Sequence, residues 1–425
     1  MKKPNYDSVA WFPILAVGLS MVAFTMIKTG RDAVFFQQDG LRKLPLAYIW
    51  IAIAAVPAAI IHLRAFDRWG ARKTRTALFY LTAAVFLLFV PVTAPEHRFS
   101  MIFLFIIVPT LFAAVFAGAW LLAGDLLEGA RQKELGKVYS RIGAASMMGG
   151  ILGGLLSKWL SLALEPRYLL AGGAFFLVLV GLLVTKAHRD YPAENYAGFE
   201  AEIERKAESF GAKKSQLLKQ RYVQILVGIS TMATIAALYI DFQFYATATF
   251  TGNNNAQFFA NFYIILNLAS LAVQLIVAPR LQSKLGVAGA LLLLPYALLG
   301  GVGIFSAWTI VQARTIMKVT EGGLKSSIHR SMWEQVYLPI DRKLRDVAKT
   351  VVDGMVARVA EGIGSLFLFV WLALESRPLE ALDFNWISWV IFALIVGWIA
   401  LTRYLGRLGC SDIEPVEGFI RLPDG

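Results

Sequence analysis

The sequence predicts an all-α polytopic membrane protein with twelve transmembrane helices in two six-helix halves. Three observations carry that prediction. First, 57% of the 425 residues are hydrophobic and only 16% are charged, with a mean hydropathy of +0.59; a soluble chain of this length carries more charge. Second, mostly apolar runs of about 20 residues, the length that spans a bilayer, recur at 11–37, 44–63, 76–94, 100–126, 139–162, 168–187, 222–249, 258–279, 287–305, 308–331, 347–373 and 385–404. Third, basic residues fall on alternate sides of these runs.

Taken in order, the runs are continuous and lack the apolar/polar alternation of a closed barrel. The first is too long for a cleaved signal peptide and carries Lys28, Arg31 and Asp32. With the N-terminus in the cytoplasm, most of the 41 Lys and Arg lie in cytoplasmic segments, notably 64–75, 131–141, 186–221 and 330–349. An even number of spans then puts both termini in the cytoplasm, as in a multi-pass protein of a bacterial inner membrane. The net charge of +12 is accounted for by this topology and calls for no nucleic-acid partner. A single cysteine, Cys410, excludes an intrachain disulfide.

The longest polar connection, about 188–221, divides the chain into an N-terminal half (1–187), a cytoplasmic linker and a C-terminal half (222–425) with a cytoplasmic tail. Short basic segments fall at matching places. Asp67 to Lys73 follows span two and Arg280 to Gly286 follows span eight; Arg131 to Glu134 precedes span five and Arg342 to Asp346 precedes span eleven. Six plus six spans around a long middle loop is a parallel-repeat plan. Asp67-Arg68-Trp69-Gly70-Ala71-Arg72-Lys73 resembles the loop after span two of the major facilitator superfamily, a resemblance that makes Asp67 and Arg68 gate residues.

The chemistry lies in charges within the spans, which are costly in a bilayer and must face other helices or water. Arg314, Lys318, Glu321 and Lys325 are spaced 4, 3 and 4 apart and form one stripe on span ten. Lys28, Arg31 and Asp32 share a face of span one, Asp241 lies on span seven, and Asp353, Arg358 and Glu361 on span eleven. Two roles fit them. Lys28, Arg31, Arg314, Lys318 and Lys325 would bind the phosphate or carboxylate groups of a small anionic substrate, with Asp32, Asp241 and Glu321 as counter-charges or proton carriers. Alternatively, the charges form internal ion pairs that hold the helices together. Asp353, Arg358 and Glu361 read as gate residues near the inner end. The aromatics of 239–263 read mainly as packing, as does the Gly149-Gly150, Gly153-Gly154 run on span five.

Other chemistry is missing. There is no GxxxxGK[ST] loop, His62, His97, His188 and His329 have no metal spacing, and no Ser/His/Asp grouping stands out. The expectation is a non-enzyme without cofactor or metal, in contact with membrane lipids and one small-molecule substrate, with a proton or counter-substrate as its coupling partner.

Several stretches resemble the ATP/ADP translocase family of nucleotide transporters, a divergent branch of the same superfamily. Glu334-Gln335-Val336-Tyr337-Leu338-Pro339-Ile340, with Arg345, Ala348-Lys349 and Asp353-Gly354, resembles that family's join between spans ten and eleven. Asp241-Phe242-Gln243-Phe244 resembles its span seven, Gln274-Leu275 with Arg280-Leu281 and Leu285-Gly286 its span eight ending, and Lys133 with Gly136, Gly143 and Gly154 its entry into span five. At span four the chain reads Ala119-Trp120-Leu121-Leu122-Ala123-Gly124-Asp125, without the family's glutamate. The resemblance implies alternating-access antiport of a nucleotide or other phosphorylated metabolite. The other expectations are a proton-coupled carrier of a non-nucleotide solute (siderophore, drug or lysolipid) and a non-transporting membrane receptor.

Overall fold

The computed structural model describes residues 6–37, 40–93, 100–126, 132–191, 220–253, 255–307, 311–337, 340, 348–375 and 385–408. Most of the linker, Glu128, Arg345 and Cys410 lie outside the described residues, as do the side chains of Asp67 and Asp125. The described chain is helical: α1 (Tyr6–Phe36), α2 (Gly40–Trp69), α3 (Ala71–Val92), α4 (Ser100–Leu126), α5 (Gln132–Leu160), α6 (Tyr168–Asp190), α7 (Arg221–Phe250), α8 (Ala256–Ala272), α9 (Ala278–Ala307), α10 (Val311–Leu324), α11 (Ala357–Leu374) and α12 (Asn385–Leu408). Among the described residues, nine helices are long and apolar enough to cross a membrane. α10 is not one of them: it is 14 residues long and carries Arg314, Lys318 and Glu321.

Three π-helical turns adjoin these helices: Val273–Val277 after α8, Lys325–His329 after α10 and Thr350–Val356 before α11. A short helix, Arg330–Gln335, continues α10. The sequence suggests a polar turn at 280–286, but residues 256–307 are helical throughout. Pro279 follows the first of these π turns, and a proline lacks the backbone donor that the α-helical bond pattern needs.

The chain packs as two compact units: Met1–Tyr196 with Ala248–Leu271, and Ala197–Thr247 with Ala272–Gly425. In the first, α1 is central. Ala16, Val17, Ala23 and Ile27 are buried against Phe79 and Phe86 of α3, Val108, Phe112 and Val115 of α4, and Ala174 and Leu177 of α6. Phe24 meets Phe112 with ring centroids 5.0 Å apart and Phe116 at 5.4 Å.

Glycines let two helices reach α5 at backbone distance. A Cβ on Gly149 would collide with the carbonyl oxygen of Gly18, and one on Gly153 would lie 2.7 Å from that of Val22. On the adjoining face, Gly150 meets the Asn267 side chain of α8, and a Cβ on Gly154 would lie 2.6 Å from Ile264. Each i,i+4 glycine pair is thus a small-residue seam. Gly149→Ala is expected to lower the melting temperature of the purified protein, since forcing a methyl against backbone costs about 1–3 kcal/mol. An unchanged melting temperature would mean that α1 and α5 do not approach this closely.

In the second unit, polar side chains tie α7 to its neighbours. Tyr239 donates to the Gly364 carbonyl of α11 at 3.3 Å, and Gln243 donates to Ser388 of α12 at 2.9 Å. Tyr222 donates to the Val336 carbonyl at 2.6 Å. α9 packs along α12 and α10.

Candidate functional site

The intramembrane charges form one cluster in each unit. In the first, Arg31 donates through both Nε and Nη2 to Asp32 Oδ1, at 2.8 and 2.5 Å. The Tyr263 hydroxyl of α8 donates to Asp32 Oδ2. Arg31 is 5% exposed and Asp32 fully buried, so charge-assisted bonds replace the water each has lost. The Arg31 guanidinium also lies 4.1 Å from the Phe105 ring centroid. Lys28 places its ammonium 4.7 Å from the Tyr263 ring and 5.7 Å from that of Phe24, within the range in which an aromatic face attracts a cation. Tyr263 therefore serves both charges, its hydroxyl on the acid and its face on the lysine.

In the second unit, Lys318 is held between two acids from different helices. Its ammonium is 2.5 Å from Asp241 Oδ1 of α7 and 2.6 Å from Glu321 Oε2 of α10. Glu321 is 4% exposed and also faces Lys325, whose ammonium is 3.3 Å from Oε1. Arg314 is buried one turn before Lys318. The stripe inferred from spacing is thus one face in the structure, and α7 supplies its acid. Asp241 is 25% exposed, against 4% for Glu321.

The expected gate residues take separate places. Arg68 is exposed at the end of α2. Asp353 Oδ1 accepts hydrogen bonds from Trp333 Nε1 and the Tyr337 hydroxyl, both at 2.7 Å. Arg358 pairs with Glu361 at 2.7 Å, one helical turn along α11.

Sequence reasoning missed Tyr263, Trp333, Tyr337 and Trp398. Tyr263 falls in an aromatic run that reads as packing, and most of that run is indeed buried. Its only distinguishing signal is the hydroxyl, since a buried phenol needs a partner. His329, set aside for lacking metal spacing, stacks on Trp333 at 5.8 Å and meets Trp398 edge-on at 5.6 Å. Among the described residues there is no group of three or more potential metal ligands.

No protein-family model matches the chain. A stretch of 118 residues is 25% identical to "ADP,ATP carrier protein 2" of Chlamydia pneumoniae. That match spans 28% of the chain and 21% of the carrier, so the chain corresponds to about a fifth of that relative's length. In structure, the chain is similar to a variant of the nucleoside transporter NupG, with a TM-score of 0.69 and 15% identity over 94% of this chain and all of the other. It is also similar to the xylose transporter XylE from E. coli in an inward open conformation, with a TM-score of 0.61 and 13% identity over 95% of this chain and 96% of the other. Both are solute transporters of the major facilitator type, and the all-helical chain shares their fold.

Proposed function

We propose that this protein is a secondary transporter that moves an organic anion, a nucleotide or other phosphorylated metabolite, across a bacterial inner membrane by alternating access. The observation that carries the reading is Lys318. Its ammonium is held between two carboxylates, and one of them, Asp241, is a quarter exposed. A phosphate or carboxylate oxygen of the substrate replaces Asp241 at the ammonium. Release of the substrate restores the pair, so the lysine is never left without a counter-charge. Within the same unit, Arg314 and Lys325 beside Lys318 supply further positive charge. The short sequence match to an ADP,ATP carrier supports the nucleotide.

A second reading follows from the structural neighbours, a nucleoside and a xylose transporter. In it the solute is uncharged, and Asp32, Asp241 or Glu321 carries a proton. One experiment separates the two. The purified protein is heated with nucleotides, nucleosides, sugar phosphates and free sugars. A ligand at a hundred times its Kd adds about 2.7 kcal/mol of stability and raises the melting temperature. Stabilisation by phosphorylated compounds but not by their dephosphorylated forms supports the anion. The reverse order overturns it in favour of the uncharged solute.

A further inference from the structure

We propose that a pocket among α7, α9, α10 and α12 is a binding site for one neutral hydroxyl-type oxygen, supplied either by the substrate or by an ordered water. The proposal deepens the reading above through Glu321, which lines this pocket and whose Oε2 holds Lys318 while Oε1 faces Lys325.

Glu321, Lys325, His329 and Trp398 line the pocket together with Ala233 and Ala237 of α7 and Leu294 and Leu298 of α9. Among the described residues, two buried polar atoms of this lining make no hydrogen bond, His329 Nε2 and Trp398 Nε1, while the buried Glu321 Oε1 faces the Lys325 ammonium at 3.3 Å. They come from the π turn after α10, from α12 and from α10, yet converge on the same space. The four alanine and leucine walls offer no side-chain polar atom that could serve them. Buried polar groups are normally satisfied, so two unpartnered atoms beside a carboxylate oxygen around one pocket imply a ligand.

The donors and acceptors define its chemistry. Trp398 Nε1 only donates, the Lys325 ammonium only donates, and the Glu321 carboxylate only accepts. His329 Nε2 donates or accepts according to its tautomer. An oxygen that bears hydrogen fits this set, accepting from Trp398 and Lys325 and donating to Glu321, and the second hydrogen of a water would also reach His329 Nε2. A phosphate or carboxylate would face the Glu321 carboxylate, a cation would face Lys325, and an apolar group would leave His329 Nε2 and Trp398 Nε1 unpaired. The space suits this reading, being small enough for about one water-sized group.

The backbone favours the same arrangement. Along an α-helix, steps of four residues drift steadily around the axis. The turn Lys325–His329 is π-helical and so underwound, which brings His329 back toward the face that bears Glu321 and Lys325. Single π turns within helices recur at functional sites.

The test uses the full-length purified protein and has two arms. A structure at a resolution that reveals waters is expected to show an oxygen within hydrogen-bond reach of Trp398 Nε1, His329 Nε2 and Glu321 Oε1. That oxygen should be lost or displaced in Trp398→Phe, which keeps the ring system apolar but removes the donor. The second arm compares binding of ATP with binding of its 2′-deoxy and 3′-deoxy forms. If the oxygen comes from the substrate, one deoxy form binds about tenfold or more weakly than ATP, and Trp398→Phe erases the difference. If it comes from water, the density is present without ligand and the three nucleotides bind alike. A pocket without oxygen density both with and without nucleotide overturns the proposal. Failure of every nucleotide to bind would remove the nucleotide reading but leave the first arm to decide this one.

Discussion

Lys318→Ala is expected to abolish substrate-induced stabilisation and uptake into proteoliposomes. Two effects are combined in that substitution, and they can be separated. The variant removes the ammonium on which the anion is proposed to dock. It also leaves Asp241 without the Lys318 ion pair and Glu321, 4% exposed, facing Lys325 alone among the described residues. Removing one member of a buried pair costs about 3–5 kcal/mol, because the remaining charge is uncompensated. The single variant is therefore expected to melt early as well as to lose transport. The charge-balanced variant Lys318→Ala/Asp241→Ala removes both partners and should regain much of the melting temperature while remaining inactive. Transport at the wild-type rate in the double variant would show that the pair is a structural tie and that substrate binds elsewhere.

The second large effect is expected at Asp32. Its carboxylate is fully buried, accepts two bonds from Arg31 and one from Tyr263, and belongs to a cluster with two cations. Asp32→Ala leaves the 5%-exposed guanidinium of Arg31 without this counter-charge and should lower stability by about 3–5 kcal/mol. Asp32→Asn keeps an acceptor but not the charge, so its loss should be smaller. Chemical denaturation or thermal melting of the three proteins checks the order. Equal stability of all three would mean that Arg31 is solvated and that the cluster is not a buried ion pair.

The fold was legible in the sequence because a bilayer imposes strong rules. Apolar length gave most helices, and charge asymmetry gave the topology expected of them. The stripe on α10 was legible too, because spacing alone puts Arg314, Lys318, Glu321 and Lys325 on one face. Asp241 could be named but not paired, since nothing local relates a residue on α7 to one 77 positions later on α10. Arg31 and Asp32 are neighbours in sequence, yet their link to Tyr263 spans 231 positions. Trp398 could not be singled out at all: its donor matters only because an α12 residue meets the end of α10. The π turns were equally hidden, as backbone underwinding has no side-chain pattern apart from the nearby Pro279. Long-range pairing and local register are set by packing, and a single sequence holds few marks of either.

One feature of the fold bears on how such a chain is made. Residues 248–271 follow the linker in sequence but pack with residues that precede it. A ribosome therefore finishes the first 196 residues before the helix that supplies Asn267 to Gly150 and Tyr263 to Asp32 has been synthesised. Until α8 arrives, the acid of α1 lacks its phenol and the second glycine seam of α5 lacks its neighbour. The first unit is thus completed late, by a loan from the second half of the message. Splitting the gene at the linker would leave its first product one helix short.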